Sequence, residues 1–366
     1  MRFKDFKDQY NMHKLNDLVD FYKGNTLSKS DIKENGKFPC ILYGELYTKY
    51  DEITNRVISY TDRNDKNLFY GKINDVLIPC SGETALDIST TTCLLQDNVI
   101  IGGDLNVLRP KMQNGKYLSY LLSNKKRIVI AKYAQGDSIV HLYGEKIKNI
   151  NINLPTFEEQ EKVSKLFELL NKKIELQKQK IETLKIYKTG LIKEILNSFK
   201  NFKVEKLQTI CQYFLSNITL SDVEGNTGIY KIYGATGSIG YISKYILDKP
   251  YISIIKDGAG VGKSFICEAF SSFLSTLIAL IPQGCSVEYL KIILENINFS
   301  KYIVGSTIPH IYFKDFKNEN VKILPYDEQL KISNIFNDIN LKIYVSEQKL
   351  ILLQKMKKSL LQQMFI

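Results

Sequence analysis

Leu154-Pro155-Thr156-Phe157-Glu158-Glu159-Gln160 opens a long charged stretch with helical apolar spacing, and Leu324-Pro325-Tyr326-Asp327-Glu328-Gln329 opens a second. From the glutamine onward the two run in register without a gap, at an offset of 169 (329 − 160). Lys162 meets Lys331, Ser164 meets Ser333, Phe167 meets Phe336, Asn171 meets Asn340 and Lys188 meets Lys357. A repeat of this length makes the chain two copies of one unit, and an internal period has to be read before any local signal. A duplicated unit most naturally serves a duplicated or two-part target.

Each stretch reads as one long helix. Thr156 and Glu159 form a capping-box pattern at the first start. Val163, Phe167, Leu170, Ile174, Ile181, Leu184, Leu191 and Ile195 alternate three- and four-residue steps, as a heptad seam requires. The second helix carries Ile332, Phe336, Ile339, Ile343, Leu350, Leu353, Leu360 and Met364 in the same steps. Gln177 and Ser346, then Lys188 and Lys357, interrupt the seams at matching places. Polar residues there fix register or partner geometry at a cost in stability. A helix of roughly 40 residues is about 60 Å long, too long to bury its seam in a small globule. The seams are therefore expected to pair antiparallel with each other, with the globules at opposite ends of a rigid rod. The other arrangement is two independent helices, each docked on a partner.

Ahead of each helix lies the same order of short elements. Lys14-Leu-Asn-Asp-Leu18 corresponds to Lys206-Leu-Gln-Thr-Ile210, and Leu42-Tyr-Gly44 to Ile232-Tyr-Gly234. Apolar runs at Cys40–Tyr43, Asp75–Pro79, Asn98–Gly103 and Tyr251–Ile255 are bounded by turn residues and read as strands. Tyr117–Leu122 and Tyr289–Leu294 read as short amphipathic helices, and Gly136–His141 matches Gly305–His310. The fold expected is α+β, with recognition globules at 1–153 and 201–323 and long helices at 154–200 and 324–366.

With 366 residues and 44% hydrophobic content, each half can bury a core. Fifty Lys and Arg against 39 Asp and Glu leave a formal charge of +11, which favours an anionic partner, nucleic acid first. No apolar run is long enough to span a membrane and the N-terminus lacks a signal-peptide pattern, so a cytoplasmic protein is expected. The six cysteines show no metal-ligand spacing and read as reduced thiols.

Asp257-Gly-Ala-Gly-Val-Gly-Lys-Ser264 imitates a nucleotide-binding P-loop. The pattern requires glycine where Asp257 stands, and strand-like sequence follows instead of a long helix. A Gly-rich hairpin with Lys256 and Lys263 at its shoulders is the reading preferred, able to approach a phosphate backbone or groove. His141 and His310 occupy equivalent places and read as loop-anchoring or core histidines, with DNA contact the next reading, because no repeated Ser, Cys or carboxylate constellation accompanies them at short spacing. No catalytic constellation and no cofactor loop is evident, which points away from an enzyme.

The order of these elements, twice over, resembles the specificity (S) subunit of type I restriction-modification systems across nearly the whole chain. The resemblance rests on the L-P-x-x-E-Q elements and the turns Ile78–Thr84, Tyr233–Tyr241, Lys256–Lys263 and Gly305–His310. It implies two target-recognition domains, each reading half of a bipartite double-stranded DNA site, and a helical spacer that docks two methyltransferase (M) subunits. S-adenosylmethionine would belong to those M subunits, and ATP and Mg to restriction (R) subunits. This chain would bind no cofactor or metal itself.

On that reading Lys and Arg hold phosphates, and polar side chains on turns read base edges. The candidates are Tyr43, Glu45, Tyr47, Ser81, Glu83 and Thr84 in the first half. In the second they are Tyr233, Thr236, Ser238, Lys256, Lys263, Ser306 and Thr307. Met1–Met12 has no counterpart in the second half and reads as a disordered leader or an extra partner contact. Two rivals are a P-loop ATPase, tied to Gly262-Lys263-Ser264, and a structural coiled-coil adaptor that binds no DNA.

Overall fold

The computed structural model describes residues 1–54, 56–223, 225 and 227–365. The chain divides into two compact units: Met1–Leu176 with Lys349–Ile366, and Gln177–Gln348.

In unit 1, the strand Val76–Pro79 is an unbroken apolar run, buried throughout, as a strand covered on both faces must be. It lies inside an antiparallel sheet of order Val19–Lys23, Leu105–Pro110, Val76–Pro79, Thr92–Cys93. A second sheet holds Ile32–Lys33, Ser59–Thr61, Phe38–Ile41, Val99–Ile101 and Phe69–Gly71, with Cys40 facing Ile100 in a parallel pair. The strands Asn11–Lys14 and Asn151–Leu154 pair antiparallel and bring the ends of the globule together.

Unit 2 repeats this plan. Its main sheet runs Cys211–Leu215, Leu277–Pro282, Tyr251–Ile255, Ser264–Cys267. Its second sheet is smaller, with Tyr230–Gly234 between Gly237–Ile242 and Ser272–Phe273, and it keeps the parallel pair, Ile232 with Ser272. Lys203–Lys206 pairs with Asn320–Ile323 to close the globule. The Leu42-Tyr-Gly and Ile232-Tyr-Gly segments differ locally. Tyr43 begins a helix, Tyr43–Thr48, whereas Tyr233 stays within its strand.

The repeated glutamine has a mechanical role. Gln160 Nε2 donates to the Pro155 carbonyl (3.1 Å), and its Oε1 accepts from the Asn114 amide (3.1 Å). Gln329 does the same with the Leu324 carbonyl (2.8 Å) and the Ser286 amide (3.1 Å). Asn114 and Ser286 are the N-caps of the short helices Gly115–Asn124 and Val287–Asn296, accepting from the Tyr117 and Tyr289 amides. One buried amide side chain thus ties the start of each long helix to the short helix of its globule.

The long helices are Phe157–Ser198 and Tyr326–Met364, and they pack together antiparallel. In unit 1, Leu170 and Ile174 meet Leu353, Leu350 and Leu360. In unit 2, Gln177 Nε2 donates to the Ser346 carbonyl (3.0 Å), so the two equivalent polar seam positions face each other. Ile181, Ile339 and Ile343 are buried, and Leu184 and Leu350 half-buried. Val163 and Phe167 enter the unit 1 core beside Leu361 and Phe365, and Ile332 and Phe336 enter the unit 2 core beside Ile192 and Leu196. Each globule is therefore built on the start of one long helix and the end of the other. The remaining polar seam positions anchor the helices sideways: Lys357 pairs with Glu52 (2.9 Å) in unit 1, and Lys188 with Glu295 (2.7 Å) in unit 2.

Two local expectations change. The Glu159 amide reaches Thr156 Oγ1 (3.4 Å), but the Glu159 carboxylate turns away from the cap to the Arg2 guanidinium (2.6 and 2.8 Å) and the Tyr10 hydroxyl (3.2 Å). The first residues accordingly fold onto unit 1, with Lys162 paired to Asp5 (2.6 Å) and Phe3 packed on the core.

Candidate nucleic-acid interface

The turn after Val76–Pro79 is held on several sides. The Cys80 amide donates to the Asp104 carbonyl and the Leu142 amide to the Cys80 carbonyl (both 2.8 Å). Ser81–Gly82 pairs antiparallel with Val140–His141. A Cβ on Gly82 would come within 2.6 Å of the buried Ile88, so glycine permits the close approach. Thr84 Oγ1 donates to Asp87 Oδ2 (2.6 Å) and accepts from the Asp87 amide (3.1 Å). Ser81 is buried in this frame, while Glu83 and Thr84 are exposed.

The helix Tyr43–Thr48 supplies the facing wall. Tyr43, Glu45, Tyr47 and Glu83 line one cleft of about 890 Å³ together with Lys29 and Asp104. Glu45 is buried and committed within the protein. It accepts from the Leu42 amide (3.0 Å), from Lys49 Nζ (3.0 Å) and from the Ser59 hydroxyl. Burial, with Tyr43, Glu83 and Asp87 nearby, raises the Tyr47 pKa, so its phenol is protonated at neutral pH.

In unit 2 the Gly-rich run is a hairpin. The Ile255 amide donates to the Lys263 carbonyl (2.8 Å) and the Gly262 amide to the Ile255 carbonyl (3.0 Å). Gly258 and Gly262 have φ of +96° and +83°, which glycine adopts without strain. Ser264–Cys267 continues as a strand paired with Tyr251–Ile255, so the run lacks the helix that a P-loop opens. The Gly258 amide donates to the Pro309 carbonyl (2.9 Å), and Asp257 and Val304 both bridge to His310. These links bring Lys256, Lys263, Ser306 and Thr307 onto one pair of loops.

Lys256 Nζ lies 3.5 Å from Asp257, whereas Lys263 is exposed and meets no carboxylate among the described residues. Ser306 and Thr307 are exposed. Of the other three candidates, Tyr233 and Ser238 lie on strands of the second sheet and Thr236 on the turn that joins them. Thr236 and Ser238 are exposed, and Tyr233 is buried against Tyr251 and Phe265 with its hydroxyl accepting from the Glu268 amide (3.3 Å). His141 and His310 sit at equivalent backbone bridges, the first to Gln135 and the second to Val304.

Three features escaped the sequence reading. Asp137 and Ser138 stand where unit 2 has Ser306 and Thr307, which the Gly136–His141 repeat could have supplied. Phe270 is exposed with a φ of +52°, a conformation costly for a bulky residue, and meets Tyr245 edge-on at 5.3 Å. Both long helices also carry exposed apolar side chains, among them Leu169, Leu176 and Ile186 on the first and Leu341, Tyr344 and Leu352 on the second.

Burial pushes the thiols of Cys40, Cys93 and Cys211 up to about 12, and those of Cys80, Cys267 and Cys285 up to about 11. They are protonated at neutral pH and poor nucleophiles. Among the described residues, no group of three His, Cys, Asp or Glu is placed to hold a metal, and no helix is long and apolar enough to cross a membrane.

A family model described as the type I restriction modification DNA specificity domain matches residues 7–185 and again 199–355. The fold resembles the crystal structure of the S subunit of a type I restriction-modification system from M. genitalium. The TM-score is 0.67 at 17% identity, over 100% of this chain and 99% of that one. It also resembles a structure from work on complex assembly and conformational transition of the type I R-M system. There the TM-score is 0.60 at 15% identity, over 98% of this chain and 97% of the other.

Proposed function

Because the chain belongs to the type I restriction-modification DNA specificity family, whose members are non-catalytic specificity subunits, we propose that it supplies the address for adenine methylation in the cytoplasm. Each unit reads one half of a bipartite double-stranded DNA site. The boundaries are recognition domains at 1–153 and 201–323, with helical segments at 154–200 and 324–366.

The observation that carries this reading is a frame repeated down to single hydrogen bonds, Gln160 with Asn114 and Gln329 with Ser286, holding exposed turns of unlike chemistry. Equal frames with unequal turns suit two different half-sites, hence an asymmetric target. Lys263 and the +11 charge suit the phosphate backbone, and Glu83, Thr84, Ser306 and Thr307 suit base edges. The exposed apolar residues on the long helices suit docking of two M subunits, with R subunits joining that complex. S-adenosylmethionine belongs to the M subunits and ATP with Mg to the R subunits.

The test is methylome sequencing of a host carrying this gene and its neighbouring methyltransferase gene, with and without the former. A gapped, asymmetric methyladenine motif that disappears on deletion is expected. An unchanged set of methylated motifs would overturn the reading.

A further inference from the structure

The backbone equates the two recognition turns residue by residue. The Cys80 amide donates to Asp104 and the Leu142 amide to Cys80, while the Lys256 amide donates to Thr276 and the Ile311 amide to Lys256. Cys80 therefore corresponds to Lys256, Ser81 to Asp257, Gly82 to Gly258 and Glu83 to Ala259. Unit 1 presents a carboxylate where unit 2 presents a methyl group, and the exposed charge of the unit 2 turn is the cation of Lys263.

Glu83 is exposed and has no hydrogen bond or ion pair among the described residues. Its flanks are fixed, by the Ser81–Gly82 pairing on one side and the Thr84–Asp87 bonds on the other. It lines the same cleft as the Tyr43 and Tyr47 rings. A free carboxylate on a turn that faces DNA is repelled by phosphates, so it gains only from a hydrogen-bond donor. Major-groove base edges offer such donors at cytosine N4 and adenine N6. Adenine sets the acceptor N7 beside its amine, which an ionised carboxylate, purely an acceptor, meets badly; cytosine does not.

We infer that Glu83 is a specificity-determining residue of unit 1, accepting a hydrogen bond from an exocyclic base amine, that of cytosine foremost. This rests on the two-half reading above.

The experiment is the methylome of hosts carrying the neighbouring methyltransferase with the wild-type chain, Glu83→Gln or Glu83→Ala. Glutamine adds a donor that matches adenine N7, so Glu83→Gln should move one position of one half-motif from cytosine toward adenine. Discrimination there should change by about tenfold or more. Glu83→Ala should relax the same position, and the other half-motif should stay as it was in both variants. An unchanged motif in both variants overturns the inference and leaves the two-half reading standing. So does an equal loss at every site with the motif letters unchanged, since that marks a contact without base preference. Absence of a gapped motif with the wild-type chain removes the reading itself, and is seen before any substitution is made.

Discussion

Gln160 and Gln329 make the same two hydrogen bonds in the two units, whereas the turns at residues 80–84 and 256–263 share their backbone anchors and little else. The glutamines are buried, so any change leaves amides and carbonyls without partners. On the turns, Glu83, Thr84, Ala259 and Lys263 face solvent, where substitution costs the fold little. Duplication therefore persists in the frame and erodes at the rim, the pattern expected under the proposal of two unlike half-sites. The leader is a further structural departure, for Arg2 serves Glu159 in unit 1 while Glu328, the counterpart of Glu159, meets Lys331 from its own helix.

The sharpest strain on this comparison is Phe167→Ala beside Phe336→Ala. Phe167 lies between Tyr120 (5.0 Å) and Phe365 (5.8 Å), and Phe336 is 2% exposed in the unit 2 core. Each truncation should cost about 3–5 kcal/mol in urea unfolding, and a marked inequality would mean the two frames are not equivalent.

Arg2→Ala should break the symmetry instead. It leaves a carboxylate that is 1% exposed with the Tyr10 hydroxyl as its remaining side-chain partner, and the loss in urea unfolding should be confined to unit 1. Adding Glu159→Gln should recover part of the loss; if it deepens it, the pair is not what holds the leader.

Gln160→Ala and Gln329→Ala should each cost about 1–3 kcal/mol, by orphaning one buried amide and one carbonyl. Hydrogen exchange at the Asn114 and Ser286 amides reads each loss locally, and unchanged protection at either would deny the clamp there.

The smallest effect is in acid. Asp31 and Asp222 close matching turns, and the backbone amides of Ser28 and Thr219, respectively, are the main cause that lowers their pKa values. Because the folded pKa lies below the unfolded one, of about 3.9, each contributes stability above that pH and loses it as pH falls through the folded value. NMR titration should place both midpoints below the ordinary aspartate value, and an ordinary midpoint for either would mean its turn is open.

Much of the fold was legible because helices repeat their apolar spacing locally. The Val163–Ile174 and Ile332–Ile343 steps required long helices, and their common register required a duplicated α+β chain. The second buried stripe, Ile192 with Leu196 and Leu361 with Phe365, was not legible as such. A helix packed on two partners buries a face wider than a heptad seam, and the spacing does not say which edge meets which. Side-chain bonds over long sequence separation were equally hidden. Gln160 reaches an amide 46 residues away and Glu45 a hydroxyl 14 residues away, and no periodicity records either. Turn chemistry found exposed side chains such as Glu83 and Lys263, but a polar residue near a turn carries no sign of its direction, so Glu45 and Tyr233 were grouped with them although both are buried.

The most direct test of two independent readers in one repeated frame is to replace residues 1–150 with the matching segment of a relative that specifies a different motif, and to sequence the methylome beside the same methyltransferase. A hybrid motif is expected, in which one half changes and the other keeps its letters. A change in both halves, or in neither, would contradict it.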